Sequence, residues 1–122
     1  MTQQKSATGL DFDVLRRAIE QKDAGLLANL YAEDVELKVI NRNTPPSSPF
    51  EVRGREAICE YYDDVCGRAM THRIERVVIG EGRAAFHEEC EYPDVTRILC
   101  AAMLDFKDGR IARQVNVEVW DE

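Results

Sequence analysis

A histidine, a few carboxylates and two amides carry most of the chemistry open to this chain. His72 stands at the start of a β-rich stretch. An imidazole titrates near neutral pH and can act there as acid or base. Downstream, the segment AAFHEECEY alternates two residue sets. Ala84, Phe86, Glu88, Cys90 and Tyr92 form the more apolar set, and Ala85, His87, Glu89 and Glu91 the more polar one, so the first is expected to face inward. Glu88 beside Phe86 and Cys90 would be poorly solvated, a setting that suits a carboxylate to proton transfer. Near the C-terminus Gln114, Asn116 and Glu118 recur at every second residue, which projects them from one face of a strand. Asn116 can orient a carbonyl or hydroxyl there, with Glu118 as an acid–base partner. Among the aromatic residues Tyr31, Tyr61, Tyr62 and Trp120, the last is best placed to stack on a ring. Plainer readings stand beside these. His72 can be a hydrogen-bonding residue at a helix–strand junction, and Glu88 a carboxylate paired with Arg76. Gln114, Asn116 and Glu118 can be polar filler at the end of a sheet, and the tyrosines can be core.

Other chemistries have weaker signals. His87, Glu89 and Glu91 share one side of a strand, but a metal site needs ligands converging from elsewhere, so no metal is expected. Cys59, Cys66, Cys90 and Cys100 form no C-x-x-C pair, which leaves no zinc or redox motif. The N-terminus lacks an apolar signal core, so the thiols are expected reduced and the protein cytoplasmic. Cys90 and Cys100 could also meet across a hairpin. GEGR falls in a strand turn rather than before a helix, so no phosphate loop is present, and no cofactor is expected.

The elements that must position these residues follow from spacing. A length of 122 residues suits one domain. Residues 1–9 are polar and expected disordered, with one domain over 10–122. A net charge of −7 disfavours nucleic acid and anionic membranes as partners, and no apolar run approaches the ~20 residues that span a bilayer. Asp11 is a plausible cap for a helix over 12–22, with Phe12, Leu15, Ala18 and Ile19 as its apolar stripe. Asp23 caps a second, whose apolar positions Leu26, Leu27, Leu30 and Tyr31 recur at helical spacing. Residues 35–41 alternate as a strand. NRNTPPSSP is then a loop, either a flap or a plain connection. Gly54-Arg55-Glu56 opens a third helix to about residue 70, with Ala57, Ile58, Tyr61, Tyr62, Val65 and Cys66 on its apolar side. Strands follow at about 72–79 and 83–92, and then a long hairpin closes the chain.

That hairpin turns at Lys107-Asp108-Gly109, read as a three-residue loop with Gly109 left-handed and Phe106 opposite Arg110. One face then holds Ile98, Cys100, Ala102, Leu104 and Phe106 with Ala112, Gln114, Asn116, Glu118 and Trp120. The other holds Leu99, Ala101, Met103, Ile111, Val115, Val117 and Val119. A two-residue Asp108-Gly109 turn would send every side chain of one strand to the opposite face.

In this order the segments QKDAGLLANLYAEDVEL, RGREAICEYY and FKDGRIARQVNVEVWDE resemble the nuclear transport factor 2-like superfamily over about residues 10–121. The resemblance is nearest to the branch of ketosteroid isomerases, limonene epoxide hydrolases and SnoaL-type polyketide cyclases. It implies an α+β, cystatin-like cone: a curved, mostly antiparallel sheet wrapped around three N-terminal helices. The concave face would enclose a small apolar or cyclic ligand, and the convex face would form a homodimer. Around the ligand the resemblance implies Tyr31, Val39, Tyr61, Phe86, Cys90, Ala102, Gln114, Glu118 and Trp120, with His72, Glu88 and Asn116 left as catalytic candidates. The family's own catalytic groups are not matched. The ketosteroid isomerase base, oxyanion tyrosine and protonated acid fall at Val39, Leu15 and Ala102, which cannot hold a proton. The last-strand acid of the epoxide hydrolases and cyclases falls at Asn116. The function expected is a cofactor-independent isomerase, cyclase or dehydratase. A non-catalytic small-molecule binding protein and a dimeric interaction module are the alternatives.

Overall fold

The computed structural model describes residues 11–121, so the disorder expected at 1–9 lies outside the described residues. Apolar spacing near the N-terminus produces two helices, α1 (Phe12–Glu20) and α2 (Ala24–Ala28). Each starts on an aspartate that caps a free backbone donor: Asp11 accepts from the Asp13 N–H at 3.0 Å, and Asp23 from the Leu26 N–H at 3.1 Å. Tyr31, expected on the second helix, instead opens β1 (Tyr31–Ile40). Its helical spacing from Leu27 is overridden by pairing with Ile111 across the sheet.

After the proline-rich loop comes β2 (Phe50–Arg53), an edge strand with no counterpart in the sequence reading; only Val52 of its four residues is buried, which leaves no alternation to detect. Gly54 then turns the chain with φ +86°, a conformation a β-carbon disfavours, and its N–H bonds the Val35 carbonyl at 2.8 Å. Helix α3 (Arg55–Cys66) begins there and stops four residues short of the expected end. Arg55 ties it to β1 by donating twice to the Tyr31 carbonyl, at 2.8 and 3.2 Å.

The remaining strands are β3 (Thr71–Gly80), β4 (Arg83–Glu91), β5 (Arg97–Lys107) and β6 (Arg110–Trp120). The six strands form one curved sheet in the order β2-β1-β6-β5-β4-β3, antiparallel throughout except for the parallel β1–β6 pair. This is the expected α+β architecture.

The last hairpin corrects one expectation. Lys107 pairs with Arg110 around a two-residue turn, with φ of +54° at Asp108 and +78° at Gly109. Two consecutive positive φ values mark the turn whose twist suits a hairpin. The three-residue loop and the Phe106–Arg110 pairing are therefore replaced. The sheet nevertheless keeps the predicted faces, because a bulge at Asp105/Phe106 inserts Ala112 as an unpaired residue and restores the parity. Ala102 faces Asn116, and Leu104 faces Gln114. Ile111 lies on the turn side of the bulge. It was expected on the outer face and is instead fully buried.

The core fills the concave side of the sheet beneath the helices. Leu15, Ala18, Leu27, Val35, Leu37, Ile58, Leu104 and Ile111 are essentially inaccessible, and each large member contributes about 1.5–3 kcal/mol by leaving water. The convex side is different: Leu99, Met103, Val117 and Val119 are 43–66% exposed. No helix among the described residues is long and apolar enough to cross a membrane.

Candidate functional site

Strand register sorts the inward residues into rows. Across β4, β5, β6 and β1, one row reads Ala84, Leu104, Gln114, Leu37 and the next Phe86, Ala102, Asn116, Val39. Further toward the open end, across β3 to β6, the rows read Ile74, Glu88, Cys100, Glu118 and then His72, Cys90, Ile98, Trp120. The first two rows belong mainly to the core. Phe12 of α1, for example, meets Phe86 edge-on with ring centroids 5.7 Å apart. The last two rows apart from Ile74, together with Asn116, line a cavity of about 400 Å3 whose other walls include Tyr61, Tyr62 and Val65 of α3 and the nearby Met70. That size is in the range of small-molecule sites.

His72, Glu88, Asn116, Tyr61, Cys90, Glu118 and Trp120 all line this cavity. Tyr31, Val39, Phe86, Ala102 and Gln114, expected around the ligand, do not: all are at most 4% exposed, packed where the core closes over the sheet. Alternation along a strand places a residue on the concave face. It does not say whether a helix covers that spot. Tyr92, expected inward, also lines the cavity, and Asn41, Met70 and Thr96 are lining residues the sequence reading missed. They sit at element ends, where periodicity does not tell a side chain's direction. Tyr62 was legible as a neighbour of Tyr61 on the apolar side of α3.

The strongest polar feature is on β3 and β4. His72 Nδ1 and Glu88 Oε2 are 2.7 Å apart, with the imidazole 3% and the carboxylate side chain 17% exposed. Glu88 therefore has His72, not Arg76, as its partner. Cys90 Sγ lies 3.3 Å from both atoms. Burial first, and the neighbouring Glu88 carboxylate second, push the Cys90 thiol well above its ordinary range. Burial does the same to Cys100. Both stay protonated at neutral pH and are poor nucleophiles. All four cysteines are free. Cys90 faces Ile98 and Cys100 faces Glu88, so the two are not cross-strand partners. His87, Glu89 and Glu91 do not converge as ligands; Glu89 and Glu91 form surface ion pairs with Arg73 and Arg97, each at 3.4 Å. Among the described residues His72, Glu88 and Cys90 are the one set of such donors brought together.

A second feature fixes Asn116. Tyr31 Oη donates to Gln114 Oε1 at 2.6 Å, so the 2.8 Å contact between the two hydroxyls has Tyr62 as donor and Tyr31 as acceptor. Burial raises both phenols far above their ordinary range, which keeps them as donors. Gln114 Nε2 in turn donates to Asn116 Oδ1 at 2.8 Å. A chain of polarised hydrogen bonds thus runs from α3 to the cavity wall. It occupies the Asn116 oxygen and leaves the Asn116 NH2 group to donate. At the mouth, Asn41 Nδ2 donates to Glu118 Oε1 at 3.1 Å.

Comparison with known proteins agrees with this architecture. The SnoaL-like domain model matches residues 13–114. Among curated proteins none matches the chain in sequence. Among solved structures, an NTF2-like protein of unknown function from Mesorhizobium loti superposes with a TM-score of 0.78 at 16% identity, over 98% of this chain and 97% of its own. A candidate ketosteroid isomerase from Kribbella flavida gives 0.77 at 17% identity, over 96% and 80%. A candidate isomerase from Rhodopseudomonas palustris gives 0.67 at 16%, over 97% and 91%. At such identities the likeness shows the fold. Together with a family match over most of its length, it means that the chain belongs to the SnoaL-like family, within the nuclear transport factor 2-like fold.

Proposed function

We propose that this protein takes a small, largely apolar cyclic molecule into the cavity and moves a proton within it, as a cofactor-independent isomerase, cyclase or dehydratase. The observation that carries this reading is the buried His72–Glu88 pair on the wall of a cavity that also holds an oriented Asn116 donor. Glu88 is the more exposed member and meets the substrate, with His72 as the partner that exchanges the proton. Asn116 donates to a substrate oxygen as negative charge develops on it. Trp120 and Tyr61 supply apolar, ring-shaped contact.

One observation favours a second reading, a binding protein without turnover. The resemblance puts Val39, Leu15 and Ala102 where ketosteroid isomerases carry proton-handling groups, and all three are packed in the core. A metal-free thermal-unfolding screen against steroids, phenols, terpenoids and aromatic acids separates the readings when followed by turnover assays. A native-state ligand raises the midpoint by mass action. The shift is expected in wild type and lost in Asn116→Leu. Turnover that disappears in Glu88→Gln while the ligand shift persists supports the enzyme, and a shift with no turnover supports the binder. A panel that shifts neither protein counts against both readings.

The exposed Leu99, Met103, Val117 and Val119 support a homodimer through the convex face. Light scattering is expected to give twice the chain mass for wild type and a monomer for Met103→Glu/Val119→Glu. The four free thiols suit the reducing cytoplasm.

A further inference from the structure

The contacts of His72, Glu88 and Cys90 differ from those of a nucleophilic relay. In a relay of cysteine, histidine and carboxylate, the imidazole uses one nitrogen toward the nucleophile and the other toward the carboxylate. Here both neighbours approach the same nitrogen, Nδ1, and the same carboxylate oxygen, Oε2, serves both His72 and Cys90. The three atoms form a closed triangle with sides of 2.7, 3.3 and 3.3 Å. A point about 1 Å off the plane of this triangle lies about 2.05 Å from the nitrogen and the oxygen and about 2.3 Å from the sulfur, the usual zinc–ligand distances.

We propose that His72 Nδ1, Glu88 Oε2 and Cys90 Sγ bind one thiophilic divalent cation of the zinc type, with a further coordination position open to the cavity. The scaffold is suited to it. His72 and Cys90 are direct partners across β3 and β4, and Glu88 is two residues from Cys90 on the same face, so sheet hydrogen bonds hold all three backbones in place. All three line the cavity, so an additional ligand can come from its interior. The field is favourable as well: the Glu88 and Glu118 carboxylates both line the cavity and attract a cation. Sulfur and imidazole donors select zinc-like ions over magnesium and calcium, which prefer oxygen. Three protein ligands with an open position is the pattern of zinc sites that act on a ligand rather than merely brace a fold. When the ion binds, the Cys90 S–H bond breaks, its proton passes to solvent, and the sulfur electron pair forms the bond to the metal.

This inference goes beyond proton transfer and does not depend on turnover. Glu88 Oε2 cannot hold the ion and accept a substrate proton at once, so metal-loaded and metal-free proteins are expected to behave differently toward the same ligand.

The test uses tag-free, reduced, chelator-treated full-length protein titrated with zinc by calorimetry and with cobalt by absorption. Expected are one ion per chain, proton release, and a sulfur-to-cobalt charge-transfer band. The band is expected to vanish in Cys90→Ser and to persist in Cys59→Ser/Cys66→Ser. Zinc affinity is expected to fall by more than about 100-fold in Cys90→Ser and in Glu88→Gln, beyond the usual effect of residues outside the ligand set. Circular dichroism confirms that the variants remain folded, and Glu88→Gln serves if Cys90→Ser does not fold. The proposal is overturned by an absent band with no zinc heat, or by a band that survives Cys90→Ser and disappears in Cys59→Ser/Cys66→Ser. Since the ligand screen is run without metal, that failure would leave the proton-transfer reading standing, and a failed screen would leave the metal site standing.

Discussion

One sheet carries two different interiors. In the rows through Leu104 and Ala102, inward side chains meet the helices and become core: Leu104 is fully buried, and Ala102 is 4% exposed. Two strand positions further on, through Cys100 and Ile98, residues on the same face and the same strand border open space. The alternation is identical in both regions. The difference is the lid. Backbone pattern decides inside against outside, and the placement of helices decides core against cavity.

Truncation gives the largest test of that contrast. Leu104→Ala is expected to cost about 3 kcal/mol, because it opens a hole in a closed core. Ile98→Ala is expected to cost less than about 1.5 kcal/mol, since its side chain already borders a cavity. Urea unfolding compares them, and equal losses would break the distinction. Added bulk should show the reverse pattern. Ala102→Leu overpacks a filled row and is expected to lose about 1–3 kcal/mol, whereas Cys100→Leu is expected to stay within about 1 kcal/mol of wild type and to abolish the thermal shift by any cavity ligand. Retention of that shift would place the ligand elsewhere.

Polar groups in the two regions separate by a smaller amount. Tyr31→Phe leaves Gln114 and Tyr62 each short of a buried partner and is expected to cost about 1–2 kcal/mol. Glu118→Gln, at the wetter mouth, is expected to remain within about 0.5 kcal/mol. The smallest effect concerns the rim. Val95 holds φ +63° in the turn between β4 and β5, which is costly for a β-branched residue. Val95→Gly relieves that strain but adds freedom to the unfolded chain, for a net gain of about 0.5 kcal/mol in thermal unfolding.

Much of this molecule was legible in the chain. The aspartate caps, the helical stripes and the strand alternation state local preferences that tertiary contacts reinforce. The faces of the last hairpin were also readable, although its turn was not. Nothing in Lys107-Asp108-Gly109 announces that Ala112, three residues later, will bulge and cancel the shift made by a two-residue turn. β2 was invisible because an exposed edge strand of four residues has almost no pattern to display.

The site divides in the same way. The sequence by itself determined that His72, Glu88, Cys90 and Asn116 are available and that Glu88 and Cys90 share a face, since side chains two apart on a strand point alike. Only the tertiary structure decided that His72 joins them, because its partner across the sheet is Cys90, 18 residues away. It also decided which inward residues border empty space. Register is a long-range property set by every turn and bulge between two strands. A cavity is where packing stops, and no residue's own preference encodes that boundary.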